Sequence, residues 1–205
     1  MTMLESTQTG HHDGTSVETH FQATARRADW RFLLPDPNLK DVEYVGHLPD
    51  DLLAALRLLS RSLEIVDAPR IADAPRLANV VVLHSPTRAQ VRTALEVVKA
   101  NGAVYCELKR SRRRPLSFLK LQSDAVYAEL TQAGFTSIQT HWHYPSFSNC
   151  TRLVQLADPA ALGYWLASRN QTWLAQPMWL RWLTGARLLE RVLPCVSIVA
   201  QRGAR

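Results

Sequence analysis

Three histidines sit where chemistry can be done. His84 closes the continuous apolar run Val80–Leu83 and opens the segment His84-Ser85-Pro86-Thr87. A histidine at the carboxyl end of a buried strand lies where α/β sheets place their ligands. His141 and His143 alternate along Ser137–Tyr144, so both point to one face of the strand expected there. A side chain that titrates near neutrality suits general-base work on an acceptor, and these three are the catalytic candidates. The plainer reading is a loop histidine and a polar face near the end of a sheet. Three histidines could also hold a metal, but no acidic or cysteine partner has a supporting spacing, so no metal is expected.

Two more residues carry a different chemistry. The first expected strand ends in Gly46 and the second in Asp67, 21 positions later. An acidic side chain at that distance is where an α/β nucleotide site hydrogen-bonds a ribose. Lys109, Arg110, Arg112, Arg113 and Arg114 follow directly on another strand. They therefore fall on the ligand side of the sheet, as a solvated loop or as a site for an acidic or phosphorylated partner. Trp165, Trp173, Trp179 and Trp182 lie close together farther on. From Met178 to Leu193, Trp179 and Trp182 share one helical side and arginines the other, which fits a cover helix, a partner surface or a membrane surface.

The elements that must position these residues alternate. Val42–Gly46 reads as a strand and Pro49–Ser60 as a helix with Asp50 and Asp51 in its first turn. Leu63–Asp67 and Val80–Leu83 are strands, the second of the kind buried on both faces. Thr87–Ala100 reads as an amphipathic helix stopped by Asn101-Gly102, and Ala103–Leu108 as the next strand. A helix over about Phe118–Ala133 ends at Gly134, and strands follow at Ser137–Tyr144 and Arg152–Leu156. Asp158-Pro159 opens a Trp-rich helical region that runs to about Leu193, before a last strand at Val196–Gln201. Such alternation implies a parallel sheet with helices on both faces. Residues 1–28 are polar and aperiodic, and read as a mobile leader with helical character near Phe21–Arg27.

Composition bounds the class. The 205 residues, 46% of them hydrophobic, suit one domain with a real core. No stretch reaches the 18 apolar residues of a membrane span, and no secretory signal is read at the amino terminus. Three scattered cysteines make no disulfide framework, so a reducing, cytoplasmic setting is expected. P-loop, nucleophile-elbow, zinc-spacing and paired-carboxylate patterns do not occur. The net charge of +6 is unevenly spread. Residues 1–108 carry 11 basic and 14 acidic groups, giving −3, and residues 109–205 carry 13 and 4, giving +9.

The element order resembles that of class I S-adenosylmethionine-dependent methyltransferases. The resemblance rests on Gly46 and Asp67, and on Gly134-Phe135-Thr136-Ser137-Ile138 followed much later by Val196–Arg202. It implies a Rossmann-like sheet over residues 29–205, mostly parallel with an antiparallel last strand, and a helical cover insertion at 157–194. It also implies S-adenosylmethionine at Gly46 and Asp67. Two departures bear on activity. The loop after the first strand is Gly46-His47-Leu48-Pro49-Asp50-Asp51, with proline and two carboxylates where small residues are expected. Only twelve residues, 68–79, separate Asp67 from the next clear strand, too few for a helix, a third strand and an adenine loop. The favoured reading is therefore a catalytically degenerate accessory subunit with a protein partner or a second copy of itself. The alternatives are an active methyltransferase on a small-molecule, lipid or peptide acceptor, and a basic module for nucleic acid or anionic membrane.

Overall fold

A computed structural model describes residues 21–66, 77–109, 116–168 and 189–203. Among these residues seven strands form one sheet: β1 Leu39–Val45, β2 Ser60–Val66, β3 Ala78–His84, β4 Val98–Lys109, β5 Phe135–Tyr144, β6 Arg152–Gln155 and β7 Cys195–Arg202. Their order is β2-β1-β3-β4-β7-β5-β6. β1 pairs in parallel with β2 and β3, and β3 with β4. β7 runs antiparallel to both β4 and β5, so β5 points the same way as β1–β4. The carboxyl ends of five strands thus share one edge of the sheet. The mostly parallel sheet and its reversed last strand are as the sequence implies. Among the described residues β2 is the outermost strand on its side, which agrees with the shortened third-strand region.

Among the described residues the helices α1 Asp50–Leu59, α2 Arg88–Glu96, α3 Leu116–Gln132, α4 Pro159–Ala167 and α5 Leu189–Val192 flank the sheet. Alternation along the strands sends successive side chains to opposite faces. Val81, Leu83, Val104, Cys106 and Ile198 pack with Val91, Ala94, Val126 and Leu130 of α2 and α3. Val80, Val82, Ala103, Tyr105 and Val199 face the other way, onto Leu52, Ala55 and Leu56 of α1 and onto Trp30. Thr87 caps α2 in a reciprocal pair with Gln90, and the Asp158 side chain accepts from the Ala160 amide to start α4 with Pro159 in its first turn.

Two local readings change. α2 ends at Glu96, and Val98–Ala100 already belong to β4. Asn101-Gly102 is an irregularity inside that strand: Ala78 pairs with Val98, but Val80 pairs with Ala103. Asn101 takes a left-handed φ of 59° there, the same signal a helix stop gives. The second change concerns the leader. Its last residues, 21–28, form a helical turn and a strap, and Arg27 and Ala28 are buried. The strap continues into a 3-10 helix, Asp29–Leu33, whose Trp30 ring stacks on Tyr105 at 3.8 Å and 5°.

Candidate functional site

The carboxyl edge of the sheet gathers polar side chains because three strands end on them. His84 is the last residue of β3, Glu107 lies two from the end of β4, and His143 is next to last in β5. Register puts Ser197 of β7 opposite both Glu107 and His141, so these side chains share the strap-covered face with Tyr105. Glu107 is fully buried. A buried carboxylate needs partners, and it has three. Arg27 of the strap meets it with two parallel hydrogen bonds, Nη1 to Oε1 at 2.6 Å and Nη2 to Oε2 at 2.8 Å. His84 Nδ1 lies 2.8 Å from Oε2, and the Tyr105 hydroxyl donates to Oε1 at 2.9 Å.

The network extends in both directions. Arg27 Nε also donates to Asp51 in the first turn of α1, at 2.9 Å. On the far side Tyr105 approaches His143 Nε2 at 3.4 Å, and that nitrogen lies 2.8 Å from Ser197 Oγ. Phe147 closes the top, with its ring 4.7 Å from the His143 ring and 5.6 Å from the Arg27 guanidinium carbon. Asp51, Arg27, Glu107, Tyr105, His143 and Ser197 thus form one chain from α1 to β7.

Electrostatics follow from that packing. Burial alone would raise the Glu107 carboxyl, but hydrogen bonds from His84 and Arg27 and the Arg27 charge hold it down at about 2. Arg27 loses by burial and gains more from Glu107, so its guanidinium is held charged more firmly than in water. Burial pushes His143 down to about 3 and His141 down to about 4, so both are neutral near pH 7.

Of the residues expected to carry catalysis, the structure joins His84 and His143 through Glu107 and Tyr105. His141 stands apart, buried, with its Nδ1 lacking a hydrogen-bond partner. Among the described residues no three His, Cys, Asp or Glu side chains converge as a metal site would require. Gly46 directly follows β1 with a φ of 109°, a conformation that favours glycine. Lys109 is exposed at the carboxyl end of β4, as its sequence position implies. Asp67, Arg110, Arg112, Arg113, Arg114, Trp179 and Trp182 lie outside the described residues, as does most of the Trp-rich region. Sequence reasoning missed Arg27, Tyr105, Glu107 and Ser197. The available signal was Glu107 itself, a lone carboxylate in the apolar run Ala103–Leu108, which no soluble core leaves without a partner.

The sheet order, with β7 reversed between β4 and β5, decides the architecture. The fold is methyltransferase-like. No protein-family model matches the chain, and no curated protein does. Solved structures similar to it include an S-adenosylmethionine-dependent methyltransferase of Thermotoga maritima described as a possible histamine N-methyltransferase. It is 9% identical with a TM-score of 0.45, over 92% of this chain and 95% of that one. An S-adenosylmethionine-dependent O-methyltransferase of the same organism is 10% identical at a TM-score of 0.42, over 98% and 68%. The apo methyltransferase SibL is 12% identical at 0.45, over 93% and 57%.

The methyltransferase-like fold implies a place for S-adenosylmethionine after β1, and the residues there can be tested for fit. Gly46 fits, because its backbone conformation is the one such a loop needs. The start of α1 does not. Pro49 occupies its cap and brings no amide hydrogen, and the Leu52 amide already donates to Asp51 Oδ1 at 2.8 Å. A helix start that could bind the cofactor's carboxylate is filled by the protein's own carboxylate. Tyr44 donates to the carbonyl of His47 at 2.7 Å, which ties the loop back onto β1. This edge does not fit the anionic end of the cofactor.

Proposed function

We propose that this methyltransferase-fold protein does not carry out methyl transfer, and acts as an accessory subunit of a biosynthetic or modifying enzyme. One observation carries the reading. Arg27, from the strap, stands between Asp51 at the start of α1 and Glu107 near the end of β4, and donates hydrogen bonds to both. A guanidinium so placed answers the carboxylates that a cationic cofactor would otherwise meet. The basic run from Lys109 to Arg114 and the pair Trp179 and Trp182 are then what a protein partner recognises, acidic or phosphorylated at the basic run.

Thermal unfolding with S-adenosylmethionine tests this. A ligand present at 100 times its Kd adds about 2.7 kcal/mol of stability by linkage. For a domain of this size that raises Tm by roughly 5–10 °C. The expected result at 1 mM is no shift. A saturable rise of several degrees returns the protein to active methyltransferases and ends the accessory reading. The partner arm is tested by co-purification from the native host, with the bound enzyme lost when Trp179 and Trp182 are both changed to Ala.

A further inference from the structure

The two edges of the sheet are guarded unequally. β6, at one edge, is four residues long and starts on Arg152. β2, at the other, runs for seven residues with no proline and no break in its register against β1. A short or interrupted edge resists pairing with another chain, whereas a longer regular one invites it. Among the described residues nothing pairs with the outer side of β2.

Which groups point outward follows from one bond. Gly46, directly after β1, donates to the Val66 carbonyl at 3.3 Å, so Val66 turns its backbone groups toward β1. Alternation then turns the N–H and C=O of Arg61, Leu63 and Ile65 away from β1. These three are spaced evenly about Leu63, the middle residue of the strand. Their side chains suit an interface. Leu63 is partly buried against the α1 face of the core. Ile65 is 40% exposed, as is Leu58 in the last turn of α1, which runs directly into β2. The Arg61 guanidinium is drawn back onto Asp41 of β1 at 2.8 Å, so it does not guard the edge as a free charge.

We propose that β2 is a self-association edge, occupied by β2 of a second copy of this chain, antiparallel about a two-fold axis through Leu63. That centre sets Arg61 opposite Ile65 and Leu63 opposite its own copy, so every outward N–H and C=O gains a partner. The axis keeps each side chain on its own face, so the nearest alternatives are centres on Ser62 and Glu64. A centre on Ser62 carries Ile65 past the strand to Leu59 of α1. One on Glu64 carries Arg61 past Val66 and sets two carboxylates directly opposite, which is unfavourable. The Leu63 centre joins the two sheets into one, with their carboxyl edges pointing in opposite directions. Edge pairing alone is a small interface, so its Kd is on the order of micromolar. The proposal goes beyond the accessory reading and does not depend on it, or on whether S-adenosylmethionine binds.

Sedimentation of the full chain from about 1 to about 100 µM is the first test. The expected result is a reversible rise in mass from 23.1 kDa toward twice that value. Ile65→Lys places a cation at the exposed edge, opposite Arg61 of the second copy, and is expected to weaken association at least tenfold. Its urea midpoint at about 1 µM, expected to match that of the unaltered chain, shows that the fold is kept. Register is read by oxidation. Arg61→Cys mixed with Ile65→Cys is expected to form a covalent dimer at least fivefold faster than either variant alone. The Cα atoms of such a pair lie about 5.5 Å apart, within disulfide reach. The half-exposed Cys150 contributes the same background to the mixture and to each variant. Three results overturn the proposal: a mass of 23.1 kDa at every concentration, a dimer that Ile65→Lys leaves intact, or cross-linking no faster in the mixture than in the single variants.

Discussion

At the scale of single residues the fold turns on Arg27 and Glu107. Both are buried, and each is the other's main compensation. Removing one member of such a pair leaves the other charged in a poor solvent, at about 3–5 kcal/mol. Arg27→Ala is therefore expected to lower unfolding stability in urea by about that amount, and Glu107→Gln by a similar one. The double variant Arg27→Ala/Glu107→Gln should lose less than the two singles together, because neither charge is then stranded. Strict additivity would show that the pair does not act as a unit. Little of this centre was legible in the sequence. Glu107 and Arg27 are 80 positions apart, and the arginine lies in a segment with no apolar period to mark it as structural. His84 was legible because the end of a buried strand is a place of known geometry, whereas His143 was found for its alternation and not for its partner Ser197.

At the scale of elements, strands and caps were readable and the exceptional turn was not. β3 announces itself by four consecutive apolar residues, and α4 by Asp158-Pro159 at its start. β4 does not, because Asn101-Gly102 is used inside the strand. A side chain at Gly102 would place its Cβ 2.8 Å from Val98 Cγ1, 2.9 Å from the Lys99 carbonyl oxygen and 3.0 Å from that of Asn79. Backbone oxygens cannot step aside without disturbing the ladder. The bend also places Lys99 Nζ within 2.9 Å of Asp41 and 3.0 Å of Asn79, tying β4 to β1 and β3. Gly102→Ala is thus expected to destabilise by about 1–3 kcal/mol through overpacking. Gly203→Ala, where nothing lies within 4 Å, should be close to neutral. Parallel chemical denaturation of the two variants checks the contrast, and equal midpoints would show that the irregular segment is not close-packed.

At the scale of the whole molecule the buried titrating groups of the strap-covered face point the same way. His141 and His143 are held neutral by burial, at about 4 and about 3, against roughly 6.5 in an unfolded chain. Below pH 6.5 the unfolded state therefore binds protons that the native state refuses, and stability falls as pH falls. Each group contributes a slope that approaches about 1.4 kcal/mol per pH unit, so the two together cost about 5 kcal/mol between pH 6 and pH 4. Glu107, held at about 2 by His84 and Arg27, extends the loss below pH 4.5, where the unfolded carboxyl protonates first. A domain at the lower end of the ordinary 5–15 kcal/mol reserve should then unfold near pH 4. The competing cause is self-repulsion of the basic second half as acidic groups are neutralised, which acts at long range and is screened within about 5 Å in 0.5 M salt. Desolvation of buried imidazoles is not screened. Urea midpoints are accordingly expected to be flat from pH 8 to 7 and to fall steeply from pH 6 to 4, with nearly the same slope at 0.05 M and 0.5 M sodium chloride. His143→Gln should roughly halve that slope, whatever it does to the stability at pH 8. A slope that vanishes in high salt would transfer the acid lability from the buried face to the charged surface.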